Sequence, residues 1–479
     1  MIKRIYLIVC LLLCGHSYVL GQQLVVYPFP APEKGNSLHN NDYTVKVRTP
    51  GGTWQDLYEY NVMVDEVKGT DHRVEHASLA SFDFAGEVEV AVTGNRERIK
   101  KALIRPLNNG IEYTLKDNTV YFRLSRPAGL SIEMNGDRFH NLHLFANPLQ
   151  SGVPDPKSSD VIYFGPGIHE VKGGTLQIPS GKTVYLAGGA VIKGRLAVDK
   201  VRDVKIMGRG IIDFSVKEGV RVANSRNVLV EGICLTQCPV GGSDSVTVKN
   251  VKSFSYYGWG DGMNVFASND VLFDSVFCRN SDDCTTVYAT RKGFVGGCRN
   301  ITMTNSVLWA DVAHPIHIGI HGNTAQPDTI QNLRYSNIDI LEHYEKQVDY
   351  QGCLAINAGD NNLVKDVYFE DIRVESIRRG QLIHLQIPFN KKYCTAPGRG
   401  IENVFFKNVS YDGAGGELSI IAGYGEDRMI KNIVFENLKI NGVYITDTMK
   451  GKPAWYKTAD MARFYVGEFV SGLVFKRTE

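Results

Sequence analysis

The stretch SNDVLFDSVFC at 268–278 decides the fold, because the chain repeats it as CRNITMTNSVLW at 298–309, IQNLRYSNIDI at 330–340, VKDVYFEDIRV at 364–374, IENVFFKNVSY at 401–411 and IKNIVFENLKI at 430–440. Two copies precede it, SRNVLVEGICL from 225 and SDSVTVKNVKSF from 243. Each reads as a polar turn, a short apolar alternation, an Asn, Asp or Gly bend, and a second alternation. Two short strands and a bend cannot bury their inward face alone, whereas stacked copies build one continuous core with strands about 4.8 Å apart. The repeat therefore predicts a right-handed parallel β-helix. Copies recur every 18 to 37 residues, which rules out a fixed-length helical repeat and implies loops of varying length on the solenoid. Asn and Asp at the bends suit left-handed turn geometry, and stacking can ladder their side-chain amides along the axis.

Working outward, GTLQIPSGKTVYLAGGAVIKG at 174–194 and VKIMGRGIIDFS at 204–215 fit the first coils. Before them the text changes. Short apolar runs broken by turn residues, DYTVKVRTPGGTW, SFDFAGEVEVAVTG and IEYTLKDNTVYFRLSRPAGLSIEMNG, predict an antiparallel β-sandwich over 22–155. The Pro-rich segment NPLQSGVPDPKSSD marks the boundary to a β-helix over 156–479. Helical periodicity is nearly absent, so the expected class is all-β.

Residues 1–21 place Lys3 and Arg4 ahead of a short apolar run, the pattern of a secretory signal peptide cleaved after Gly21. The expected location is secreted or periplasmic, with no membrane insertion, since no stretch approaches the roughly 20 apolar residues of a spanning helix. Without Lys3 and Arg4 the chain carries 51 basic and 51 acidic residues, which argues against a nucleic-acid partner. Seven scattered cysteines remain (Cys234, Cys238, Cys278, Cys284, Cys298, Cys353, Cys394); pairs such as Cys234 with Cys238 or Cys278 with Cys298 are open, but no framework is expected. Ligand spacing for a metal is absent, and neither metal nor cofactor is expected. Oligomeric state leaves no signal in the sequence.

Carboxylates, histidines and aromatics concentrate between 253 and 323. Asp261 precedes Asp282 and Asp283 by 21 and 22 residues, about one coil, and His314 follows one longer coil on. On a stacked solenoid such residues are neighbours. Clustered carboxylates cannot all ionise freely, so one holds a proton for a leaving oxygen while its partners activate water. That division fits inverting hydrolysis of a glycosidic bond; retention would need one carboxylate as a nucleophile close to the acid. Singly, each Asp reads as a turn residue, and the joint pattern makes the site. Tyr256, Trp259, Tyr288 and Trp309 are candidate sugar platforms, with Asn264, Lys292 and His317 as polar substrate contacts.

The segments WGDGMNV, NSDDC and AHPIHIG resemble, in order and spacing, the active-site motifs of the polygalacturonase-like glycoside hydrolases, family 28. Asp282, Asp283 and Cys284 match the Asp-Asp-Cys motif fully; Asp261 and Gly262 keep part of the first motif, and only His314 survives from the third. The resemblance implies Asp282 as general acid, Asp261 and Asp283 on the attacking water, and His314 tuning the acid or binding substrate. The family's Arg-Ile-Lys motif should fall where this chain reads GCLAINAGD, with no basic residue from Leu354 to Asn357, which points away from a uronate polymer such as pectin. Family 49, dextranases and isopullulanases, is similar in its N-terminal sandwich and three aspartates and implies a neutral glucan such as dextran. Remaining alternatives are a pectin or algal-galactan hydrolase, a polysaccharide lyase using Lys292 or Arg291, and a non-catalytic carbohydrate-binding solenoid.

Overall fold

A computed structural model of the protein describes residues 23–30, 37–69, 71–350 and 352–478. The expected signal peptide lies outside the described residues. No described helix is long and apolar enough to cross a membrane.

The N-terminal part is two facing sheets. One joins Gln23–Val25, Tyr60–Lys68, Asp71–Ala85, Ala102–Arg105, Ala128–Met134 and Leu142–Pro148; the other joins Tyr43–Arg48, Gln55–Asp56, Val88–Gly94, Tyr113–Lys116 and Thr119–Leu124. Alternation sets the core between them: Val45, Val47, Phe82, Val90, Leu130 and Leu144 point inward and are fully buried. One pairing departs from the expected antiparallel pattern, since Leu142–Pro148 runs parallel to Asp71–Ala85.

The first sheet also buries its outer face. Tyr60, Val62, Leu79 and Phe145 pack against Phe214, Phe254 and Phe277 of the β-helix. Both sides of Leu142–Pro148 are thereby covered, which explains why six of its seven residues are buried, the polar His143 and Asn147 included. Trp309 sits in the same interface at 0% exposure. Its ring lies 4.2 Å from the Arg279 guanidinium, and its Nε1 donates to Asp311 at 2.8 Å. The expectation that Trp309 is a sugar platform is thus corrected: strand alternation aims it at the sandwich.

The β-helix is one continuous network of 30 strands, paired in parallel from coil to coil up to an antiparallel turn joining Lys439–Ile440 to Val443–Tyr444. Register is kept over many coils. Phe273, Met303, Tyr335, Phe369, Phe406, Phe435 and Phe475 form one inward column. The last five rings have successive centroid separations of 5.2, 4.9, 4.6 and 4.9 Å, close to the strand spacing itself. The bends behave as expected. Asn300, Asn305, Asn332, Asn337, Asn403 and Asn408 have φ between 52° and 58°. Their amides form two ladders, with Asn332 donating to Asn300 at 2.6 Å and Asn337 to Asn305 at 2.9 Å.

All seven described cysteines are free and buried. Cys238 faces the β-helix core and Cys234 the sandwich interface, which separates that suggested pair, and Cys278 and Cys298, both in the β-helix core, are also free.

Phe406→Ala removes a ring from the middle of the stack and is expected to cost about 3–5 kcal/mol. Phe405→Ala, on the half-buried outer face one residue earlier, is expected to cost under about 1.5 kcal/mol, since fewer contacts are lost. Urea unfolding midpoints check both.

Candidate active site

The coil register assembles the site. Met263–Phe266 pairs with Thr285–Tyr288, Met263 opposite Thr285, and the latter strand pairs with Ile316–Gly319, Thr285 opposite Ile316. Two residues earlier on each level stand Asp261, Asp283 and His314. The backbone ladder continues to that level, with Gly262 N donating to Asp283 O and Cys284 N to His314 O, both at 2.8 Å. Gly262 is required by this closeness: a Cβ there would stand 2.5 Å from Asn280 Oδ1 and from Cys284 O.

Asp283 is buried and saturated. Its Oδ1 accepts from His314 Nδ1 at 2.7 Å and from His314 N at 3.1 Å. Its Oδ2 lies 3.0 Å from the donating Tyr288 hydroxyl and 3.2 Å from His317 Nδ1. Burial alone would raise this carboxyl, but His314 and His317 hold it well below the usual carboxylate range.

His314 faces an acceptor on each side, the Asp283 carboxylate at Nδ1 and the Tyr350 carbonyl at Nε2, 2.5 Å away. Both nitrogens must donate, which makes it an imidazolium. Burial pulls its pKa down, and the Asp283 charge and hydrogen bond outweigh that and raise it. His317 goes the other way, lowered by burial and then by the His314 charge. Asp283, His314 and His317 offer three ligand atoms within 4.8 Å of one another, the one such group among the described residues. A doubly donating His314 leaves no lone pair for a metal there.

Asp261 and Asp282 are half-buried. Asp261 Oδ2 accepts from Asn264 Nδ2 at 2.9 Å, and Thr286 Oγ1 donates to Asn264 Oδ1 at 2.7 Å, which fixes the way the amide faces. Burial and then the Asp283 charge push Asp261 up to about 6, against the Asn264 hydrogen bond and the Lys292 charge. Among the described residues Asp282 accepts only from the Asp283 backbone N–H, at 3.0 Å. Burial, followed by the charges of Asp261 and Asp283, holds Asp282 well above the carboxylate range.

The other candidates divide. Trp259 is 86% exposed beside Asp261, with φ of 57°. Tyr256 is half-buried and Lys292 exposed, its ammonium 5.3 Å from the Phe266 ring centre. Asn264, Tyr288 and His317 are buried. These three were expected to touch sugar and instead hold the carboxylates, because each sits on a strand in the floor beneath them.

Several neighbours left no clear signal in the sequence. Thr286 stands 22 residues after Asn264, the same interval as Asp283 after Asp261, and that spacing could have found it. Tyr350 arrives from a loop outside the repeat, with its ring edge-on to His314 at 4.9 Å and stacked on Tyr393 at 4.7 Å. Asn357 Oδ1 lies 3.1 Å from His317 Nε2, beginning a chain through His384 to Gln386.

No protein-family profile and no curated protein matches the chain. Among solved structures the chain is similar to Dex49A from Penicillium minioluteum, at 13% identity, with 95% of this chain and 96% of that one covered and a TM-score of 0.62. It is also similar to a family 28 exopolygalacturonase from Yersinia enterocolitica, at 10% identity, with 82% and 97% covered and a TM-score of 0.47. The first likeness extends over the sandwich and the β-helix together, so the fold implied by the sequence resemblance is the fold observed.

Asp283→Asn strands a buried imidazolium and is expected to destabilise the protein by about 3–5 kcal/mol. The lowered Asp283 pKa stabilises above the unfolded value of 3.8, and the raised His314 pKa stabilises below 6.5. The difference in melting temperature between wild type and variant should therefore be widest from about pH 4 to about pH 6.5 and shrink on either side, as thermal melts across pH would read.

Proposed function

We propose that the protein is a secreted glycoside hydrolase that cleaves a polysaccharide with inversion, using Asp282 as general acid and Asp261 as the base that draws a proton from water. The observation that carries this is the coil register, which gathers three carboxylates in unlike surroundings: Asp283 bound to His314, Asp261 held by Asn264, and Asp282 accepting one backbone hydrogen bond. Half-buried Asp282 is pushed well above the carboxylate range by burial and by the charges of Asp261 and Asp283, which suits a proton donor, while Asp261 is pushed up only to about 6, which suits a base at neutral pH. Inverting glycosidic hydrolysis requires one protonated and one ionised carboxyl that flank the scissile bond with room for a water. Asp283, expected to act on the water with Asp261, is fully engaged by His314, His317 and Tyr288. It acts instead as a fixed negative charge that keeps Asp282 protonated and the His314 cation in place. His314, buried at 0% exposure, supports Asp283 and does not reach a sugar.

A neutral glucan is the favoured substrate, and a dextran-type chain the leading choice. On the two coils after His317 and Gly319, the register positions are Ala355 and Asn357, then His384 and Gln386. None carries a fixed cation, and burial, then the His314 charge, lowers His384 to about 3. A uronate would meet no charge-assisted partner there. Trp259, two residues from Asp261, offers an exposed ring for stacking on a pyranose face, and Tyr256 is half-buried in the same segment. The likeness to Dex49A, which spans the sandwich and the β-helix together, supports this choice.

Incubation with dextran, pullulan, pectin and algal galactans, following reducing ends and absorbance at 235 nm, tests the reaction class. Reducing ends without absorbance are expected; absorbance would establish a lyase, and binding without either product would establish a non-catalytic module. Proton NMR of the first product should show the inverted anomer. Asp282→Asn should lower turnover by at least about 1000-fold while leaving folding and glycan binding intact, because it removes only the transferable proton; near-normal turnover would end the assignment.

The rate at low substrate should fall as pH drops through about 6, where Asp261 takes up its proton. Removing the Asn264 hydrogen bond with Asn264→Ala raises the Asp261 pKa, so this acid limb should move to higher pH in kcat/KM profiles.

A further inference from the structure

A second site stands on the sandwich, away from the acids. A cleft of about 790 Å³ lies on the five-stranded sheet and the loops beside it and is lined by Arg48, Trp54, Tyr113, Tyr121 and Arg126, among others. The volume lies within the range of ligand sites, about 300–1,000 Å³. Its floor is the sheet itself, with Val90, Phe122 and Leu124 turned into the sandwich core on the other side. The rings above that floor are not core: Tyr113 is 36% exposed and Tyr121 37%. Trp54 and Tyr121 stand 6.3 Å apart at 58° and make an angled aromatic corner.

The polar groups around this corner are held in place. Glu89 accepts from Arg48 Nε at 2.6 Å and from Arg123 Nη2 at 2.8 Å, and the Arg48 guanidinium lies 4.3 Å from the Trp54 ring centre. Arg126 donates to Asn109 at 3.3 Å on the far side. Glu89 and Glu112 in the lining, with Glu87 3.4 Å from Arg123, balance the three arginines Arg48, Arg123 and Arg126, so little net attraction for an anion remains, while Glu89 keeps Arg48 and Arg123 oriented. Exposed aromatic faces beside planar donors of fixed orientation match a pyranose, which stacks its C–H face and offers paired hydroxyls.

We infer that this cleft is a non-catalytic binding site for a neutral oligosaccharide chain. The sandwich is locked to the β-helix by Arg279, which donates to Asp311 at 2.9 Å and to Asn141 at 2.8 Å, and by the apolar interface around Phe145. The site is therefore held at a fixed distance from Asp282, and a polymer gripped there stays at high local concentration near the acids. The inference relies on the proposed substrate only for the choice of glycans to test.

The test uses the full chain carrying Asp282→Asn, so that glycans are not cut, in native gels containing dextran, pullulan or pectin. Retardation by at least one neutral glycan is expected, weakened about tenfold when Trp54→Ala and Tyr121→Ala are added, with Trp54→Phe restoring much of it. In the otherwise wild-type protein the same pair of substitutions should leave cleavage of short oligosaccharides and the unfolding midpoint unchanged. Should the pair disturb folding, Arg126→Ala, on an exposed side chain, provides the same reading. Retardation that is unaltered by these substitutions overturns the site, as does its absence on every glycan. Retardation of an otherwise wild-type protein that releases no reducing ends, if weakened by Trp54→Ala with Tyr121→Ala, would support this site and count against the catalytic proposal alone.

Discussion

The structure depends on one constraint, the in-register pairing of successive coils. Each parallel strand satisfies its backbone groups on the coil above and the coil below, so a residue's neighbour is fixed one coil away whatever the length of loop between them. The column from Phe273 to Phe475 and the Asn ladders are two results of that rule. The candidate site is a third. Asp261, Asp283 and His314 are 22 and 31 residues apart in sequence, the same intervals that separate Met263, Thr285 and Ile316 in the paired strands.

Stacking brings like charges together, and the fold resolves the conflict by giving one carboxylate a cation. The buried Asp283–His314 pair keeps Asp283 ionised, and its charge then works against ionisation of Asp261 and Asp282. Three aspartates of identical chemistry are thereby pushed in different directions, Asp283 down and Asp261 and Asp282 up. Low dielectric in the floor makes each of these interactions stronger than it would be in water.

The sandwich takes part in the same floor from behind. Arg279, one residue before Asn280 and close to the acids in sequence, spends its guanidinium on Asp311, Asn141 and Trp309 at the interface. A charge that looks available for substrate is thus buried and paired, as expected for an arginine deprived of water. The strand carrying Arg279 and Trp309's neighbours is therefore held on one side by the β-helix core and on the other by the sandwich.

The sequence by itself determined the repeat, the all-β class, the turn-forming Asn residues and the grouping of three aspartates with His314, because period-two alternation and one-coil spacing are written directly in residue order. Only the tertiary structure decided which face of a strand meets solvent and which meets a second layer. That turned Trp309 inward, made Asn264, Tyr288 and His317 supports for carboxylates, and left Trp259 exposed. It also supplied Tyr350 and Asn357, which reach the site through a loop and a coil whose lengths follow no repeat. Alternation tells a strand that it has two faces; what lies against each face is settled by residues far away in the chain, and so are the dielectric and the partners that set each acid's protonation.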